Sequence, residues 1–252
     1  MHRDLLGPRR EAGELPPGRL LGELASVAAD LVAGARYVLR RRGPATALGA
    51  TGGNRFLYGI LFLMSILLYR NYFYPSGAAV AESHFVVLAT VSAVGYGCAA
   101  LLTPPVTRRL AKPAWIALVL VGSAVVTGAL GQSFDQIAYL IIGFCVNLAG
   151  QGVSICATTI LQEEVDDAYR GRVFSFYDMM FNVTYVAGAA LSAVFMPLNG
   201  RSPAIIGLVA AGYAVVAAGY WILARQSSAG GEPEASGPET SSPSAAAQAS
   251  NS

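Results

Sequence analysis

At 252 residues, 54% hydrophobic and 13% charged, with a mean hydropathy of +0.49, the chain is too apolar for an ordinary soluble domain, in which about 25% of residues are charged. The fold class this implies is all-α, a polytopic membrane protein. The net charge of +2 carries no nucleic-acid signature, and Cys98, Cys145 and Cys156 lie in apolar stretches without metal-ligand spacing, which argues against a disulfide framework or a zinc site.

Residues 1–18 are polar and Pro-rich and lack the apolar core and small-residue cleavage site of a secretory signal. They read as a disordered cytoplasmic lead. Over 19–43, Leu20, Leu24, Val27, Leu31, Ala35 and Val38 recur at three-and-four spacing, with Arg19, Glu23, Asp30 and Arg36 elsewhere on the wheel. This predicts an amphipathic helix, and the cluster Arg40, Arg41, Arg42 at its end favours the inner membrane surface over a crossing.

Residues 44–225 contain six apolar stretches, each close to the ~20 residues that a bilayer crossing needs. The first runs from Ala45 to Tyr69, between Pro44 and Arg70. Asn54 and Arg55 fall inside it, and Arg55 either snorkels to the inner headgroups or faces a cavity or partner, since an intramembrane arginine marks function by default. An aromatic loop over Asn71 to Ser83 leads to the second span, His84 to Leu102. Its GYGCAA segment mimics a dinucleotide fingerprint without the preceding strand or following acid, so its glycines read as close-packing positions. His84 reads as interfacial.

The loop TPPVTRRLAKP carries Arg108, Arg109 and Lys112, and the third span covers Ala114 to Leu130, with Ala124 and Gly128 as a small pair. GQSFDQ is a tight loop without lysine or arginine. The fourth span, Ile137 to Ile160, places Gly143, Asn147 and Gln151 four apart on one face, which either binds another helix or lines a solute path.

The most informative stretch is LQEEVDDAYRGRVFSFYDMMFNVTYVAGAA, from Leu161 to Ala190. It opens as a compact charged loop with Glu163, Glu164, Asp166, Asp167, Arg170 and Arg172, and becomes the fifth span, Val173 to Met196. Asp178 lies about one and a half turns inside that span, where a carboxylate needs a partner, water or a proton. Proximity to the helix N-terminus would favour its ionisation. Its partner is either an arginine of its own loop, Arg170 or Arg172, or a group outside the chain. Asn182 and Tyr185 share its stripe, and Gly188 and Ser192 leave room for another helix. MPLNGRSP is a turn cluster, and the sixth span, Ala204 to Ala224, uses Gly207, Ala211 and Gly212 as small contacts. Residues 226–252 form a Ser/Ala/Gly/Pro/Glu tail expected to be disordered. Lysines and arginines crowd alternate loops, leaving Arg70 and Arg201 on the other side, so both termini are expected in the cytoplasm.

The segment Gln162, Val165, Arg170, Gly171, Arg172, Val173 matches Q-x-x-V-x-x-x-x-R-G-R-V and resembles the loop before helix eleven of major facilitator superfamily transporters, closest to the bacterial drug and siderophore exporter branch. ELASVAADLVAGARYVLRRRGPATALGA is similar to the linker entering helix seven of that branch. The resemblance covers Leu20 to Arg225 and implies the carboxy-terminal six-helix half of a proton- or ion-driven exporter. After the second span the family's glycine, aspartate and arginine signature keeps Gly97, Arg108 and Arg109 but no aspartate. The resemblance also implies that Asp178 meets the arginine-bearing loop of the other half when the inner gate closes. Gate or interface roles are therefore expected for Asp178, Asn182, Arg170, Arg172, Arg108 and Arg109, and a solute path along Asn147, Gln151, Tyr185 and Arg55.

Such transporters have two six-helix halves with the solute between them, so this chain is expected to act with a separately encoded half, as a homodimer, or not at all if it is a truncated remnant. The alternative is a membrane scaffold or accessory subunit. No phosphate loop for ATP and no hydrolase or metalloprotease motif is present, so neither an enzyme nor a bound cofactor is expected.

Overall fold

The structure, a computed structural model, describes residues 17–229. The helices run α1 Pro17–Leu39, α2 Arg42–Leu67, α3 Ala78–Thr107, α4 Lys112–Leu130, α5 Gln136–Glu164, α6 Asp167–Phe195 and α7 Pro203–Ala229. A π-helical turn, Leu68–Phe73, extends α2, and a 3-10 turn, Gly131–Ser133, extends α4. The six helices α2 to α7 are long and apolar enough to cross a membrane. This is a multi-pass, all-α membrane protein.

The six spans sit where the hydropathy places them, but most helices outrun the apolar stretches. Helix α2 and its π turn reach Phe73, so the loop expected over Asn71 to Ser83 shrinks to Tyr74–Gly77. The charged stretch between α5 and α6 is a loop only at Val165 and Asp166, and the rest of it is helical. Pro104 and Pro105 lie inside α3 within its last four residues. The reason is common to all three cases: hydropathy marks where hydrocarbon ends, whereas a helix continues until its hydrogen bonds lose partners. The MPLNGRSP turn does form, with Gly200 at φ 70°, a left-handed conformation that glycine adopts without Cβ strain.

Helix α2 is the centre of the bundle, packed on α5, α6 and α7, while α3 lies on α5, and α4 on α5 and α7. The core between them includes Leu57, Met64, Leu120, Tyr139, Val153 and Tyr213. Because lipid is as apolar as leucine, such helices are held by close packing rather than by escape from water. Small residues at the crossings permit it. A Cβ on Gly188 would collide with the Phe56 carbonyl oxygen, and one on Gly59 with that of Tyr185, so α2 and α6 meet backbone to backbone. Gly95 does the same for α3 against Phe144 of α5, as the close-packing reading of GYGCAA expects, whereas Gly97 faces open space. The cysteines are free.

Helix α1 is helical as its periodicity predicts, and its inner stripe, Leu31, Gly34 and Val38, lies against the start of α6. Polar contacts fix it there. The Tyr37 hydroxyl donates to Asp166 at 2.6 Å, Arg41 pairs with Asp166 at 3.0 Å and donates to the Glu164 carbonyl at 2.6 Å, and Asp30 pairs with Arg172 at 2.9 Å. Tyr37 also stacks on Tyr169, with ring centroids 4.5 Å apart. Desolvation there, with the Asp166 contact, holds the Tyr37 hydroxyl above its ordinary pKa.

Candidate functional site

Helix α3 is supported by α5, and α6 by α2 and α1. Both are thinly covered. In their apolar stretches 17% of α3 and 11% of α6 is buried, against 39% for α2, α4 and α5. The exposed face of α6 includes Ser175, Asp178 and Asn182, in steps of three and four, so a polar stripe runs along a helix that otherwise reads as a membrane span.

Asp178 forms no ion pair among the described residues. The arginines of its own segment are engaged elsewhere: Arg170 with Asp167 at 2.8 Å and the Gln162 carbonyl at 3.2 Å, and Arg172 with Asp30. The local pairing that the spacing allowed is therefore not made. The helix-dipole argument also weakens. Since α6 begins at Asp167, Asp178 is eleven residues, about 16 Å, from the helix start, beyond the first turn where the dipole acts. Asn182 donates to the backbone carbonyl of Asp178 at 2.8 Å, which leaves the carboxylate uninvolved. Arg108 and Arg109 lie exposed where α3 turns into α4 and form no ion pair among the described residues, while Lys112 beside them pairs with Glu163.

Arg55 is half-buried in the middle of α2. Its side chain crosses to α6 rather than following α2 to its end, with the guanidinium carbon 3.5 Å from the Phe181 ring centroid and 5.9 Å from that of Tyr58. A cation over an aromatic face gains about 0.5–2 kcal/mol. Its buried Nε has no hydrogen-bond partner. The snorkelling alternative is thus not the arrangement seen.

Beside Arg55 a cavity of about 350 Å³ opens between α2, α3 and α5, lined by Tyr58, Phe62, Phe85, Tyr96, Tyr139 and Asn147 among others. That volume and an aromatic lining with few polar groups suit a small ligand. Of the expected path residues, Asn147 lines the cavity and donates to the Gly143 carbonyl at 2.9 Å. Tyr185, on α6, does not line it but packs beside two rings that do, its ring centroid 5.8 Å from those of Tyr58 and Phe62. Gln151, one turn along α5 from Asn147, does not line it. The structure therefore brings Arg55, Tyr185 and Asn147 to one side of the bundle and keeps the arginines of the α3–α4 and α5–α6 junctions apart from them. Sequence reasoning missed Phe181 and the aromatic wall. An aromatic three residues after Arg55, Tyr58, was the available signal.

Two curated proteins are similar to this chain, each named an uncharacterized MFS-type transporter, one from Mycobacterium bovis and one from Mycobacterium tuberculosis. Each is 30% identical over 173 residues, 69% of this chain and 38% of its own length. The match thus spans well under half of those relatives. No protein-family profile matches, and no solved structure matches.

Proposed function

The chain is a relative of major facilitator transporters and its six apolar helices fit one half of such a protein; on that premise we propose that it supplies one wall of a secondary-active, efflux-type solute path whose other wall is a second six-helix half. The half is the carboxy-terminal one, α1 is the linker that enters it, and both ends of the bundle's chain lie on the cytoplasmic side of the cell membrane. The second half is a separate chain or a second copy.

The observation that carries this reading is the stripe of Ser175, Asp178 and Asn182 on the thinly covered face of α6. A carboxylate at membrane depth faces protein or water rather than lipid. A partner half would give Asp178 its counter-charge and close the open side of the Tyr58 cavity. Arg172 ties the α5–α6 junction to Asp30 of α1 while Arg170 pairs within the junction, and Arg108 and Arg109, which form no ion pair among the described residues, would meet the other half.

Cysteines placed singly at Asn182 and Tyr96 test it. Both are expected to label readily in the isolated chain and to be protected when a six-helix partner is co-expressed or the chain self-associates. Unchanged labelling in the presence of a bound partner would place that partner on another face and favour the scaffold alternative.

A further inference from the structure

We infer that Arg55 is the recognition group for an organic anion, so that the solute taken by this half is an amphipathic carboxylate-type molecule with an aromatic or apolar body. The inference rests on the transport reading and narrows it to a substrate class.

Three observations converge. First, Arg55 is a cation at the middle of a membrane helix whose buried Nε makes no hydrogen bond. The titratable groups around it include Tyr177, Tyr58, Tyr96, Tyr213 and Tyr185, and it forms no ion pair with a carboxylate among the described residues. An arginine held at that depth without a counter-ion is an incomplete pair. Second, its planar guanidinium is spread on the Phe181 ring, with the centroid 3.5 Å from the guanidinium carbon. Stacking fixes the plane and leaves the in-plane N–H donors for a bidentate acceptor, the geometry that suits carboxylate and phosphate groups. Third, the neighbouring void of about 350 Å³ is walled by Tyr58, Phe62, Phe85 and Tyr96, and the Tyr58 ring that lines it lies 5.9 Å from the guanidinium carbon. An anion bound to Arg55 would lay an attached ring into that void.

The acidic group could also come from the second half rather than from a solute, since either would present a carboxylate to Arg55. The cavity favours the solute, because a side chain from a neighbouring helix would complete the charge and leave the aromatic chamber without an occupant.

The test uses the full chain in phosphatidylcholine nanodiscs and three isosteric probes, naphthalene-2-carboxylate, naphthalene-2-carboxamide and 2-naphthylmethylammonium, with binding followed by equilibrium dialysis. The carboxylate is expected to bind at least ten-fold more tightly than the other two, and Arg55→Gln is expected to remove that preference while carboxamide binding persists. Because the preference is read in the unmodified chain, it does not depend on the variant folding. Equal binding of all three probes, binding of none, or a preference that survives Arg55→Gln would overturn the inference. Repeating the titration with a second half bound separates the two sources. A retained carboxylate preference supports the solute, and its disappearance assigns Arg55 to a pair between halves and overturns it. Transport of neutral or cationic solutes without any anion preference would leave the transport reading standing and sink this inference alone.

Discussion

Two ionisable residues, Arg55 and Asp178, lie within the candidate membrane spans, and their surroundings differ. Arg55 is half-buried against Phe181, whereas Asp178 stands on an exposed helix face and forms no ion pair among the described residues. Because the exposed Asp178 side chain makes no hydrogen bond or ion pair among the described residues, Asp178→Asn should change the unfolding free energy of the isolated chain by less than about 0.5 kcal/mol, the range of surface substitutions remote from structural features. Equilibrium unfolding in mixed micelles would measure this, and a loss of several kcal/mol would assign the carboxylate to structure. With a partner half bound, the same variant should alter accessibility at the α3–α4 and α5–α6 junctions. Asp178 was legible in the sequence as an acid inside an apolar run. Its lack of a local partner was not, because Arg170 and Arg172 lie near enough in sequence to pair and only the three-dimensional placement of Asp30 and Asp167 engages them first. The Phe181 ring under Arg55 was invisible for a similar reason. The two residues are far apart along the chain and meet only through the α2–α6 crossing.

That crossing rests on small residues that let α2 and α6 approach. Gly188 was recognisable as a small residue that lets a helix approach, and the structure supplies the partner, the Phe56 carbonyl. Gly188→Ala should therefore destabilise the bundle by about 1–3 kcal/mol through overpacking. Gly97→Ala, with open space where its Cβ would go, should be neutral or stabilising by up to ~1 kcal/mol, since glycine in a helix interior carries an entropic cost. Comparing the two midpoints in the same denaturant titration separates packing from helix propensity, and equal effects would contradict the assigned crossing. The spans themselves were legible from hydropathy alone. Their ends were not, as α3 running through Pro104 and Pro105 and α6 starting at Asp167 illustrate. Amphipathicity identified α1 as a helix, but it could not reveal that Tyr37, Arg41 and Asp30 would fasten it to the α5–α6 junction. Polar contacts of that kind have no periodic signature.

For the whole molecule, the alternation of basic loops predicts an orientation. Ser133, Asn199 and Ala168 are exposed at helix junctions. Single cysteines at Ser133 and Asn199 should react with an impermeant reagent from outside the cell, and one at Ala168 only from the cytoplasmic side. The reverse pattern would invert the topology. The order of helices around α2 was not written in the sequence, because any of several packings would bury the same small residues. Nor was the uneven cover that leaves α3 and α6 open.

That open side is where the proposed second half would sit: if the chain supplies one wall of a solute path, it should not transport until the path has its second wall. The most direct measurement is flux in proteoliposomes enclosing a pH-sensitive dye, challenged with a panel of aromatic solutes of either charge, with the oligomeric state of the reconstituted protein determined in the same sample. The expected result is no solute-dependent proton movement from the monomeric chain, and flux once a second six-helix half, or a second copy, is bound. Solute-driven proton flux from the demonstrably monomeric chain would contradict it.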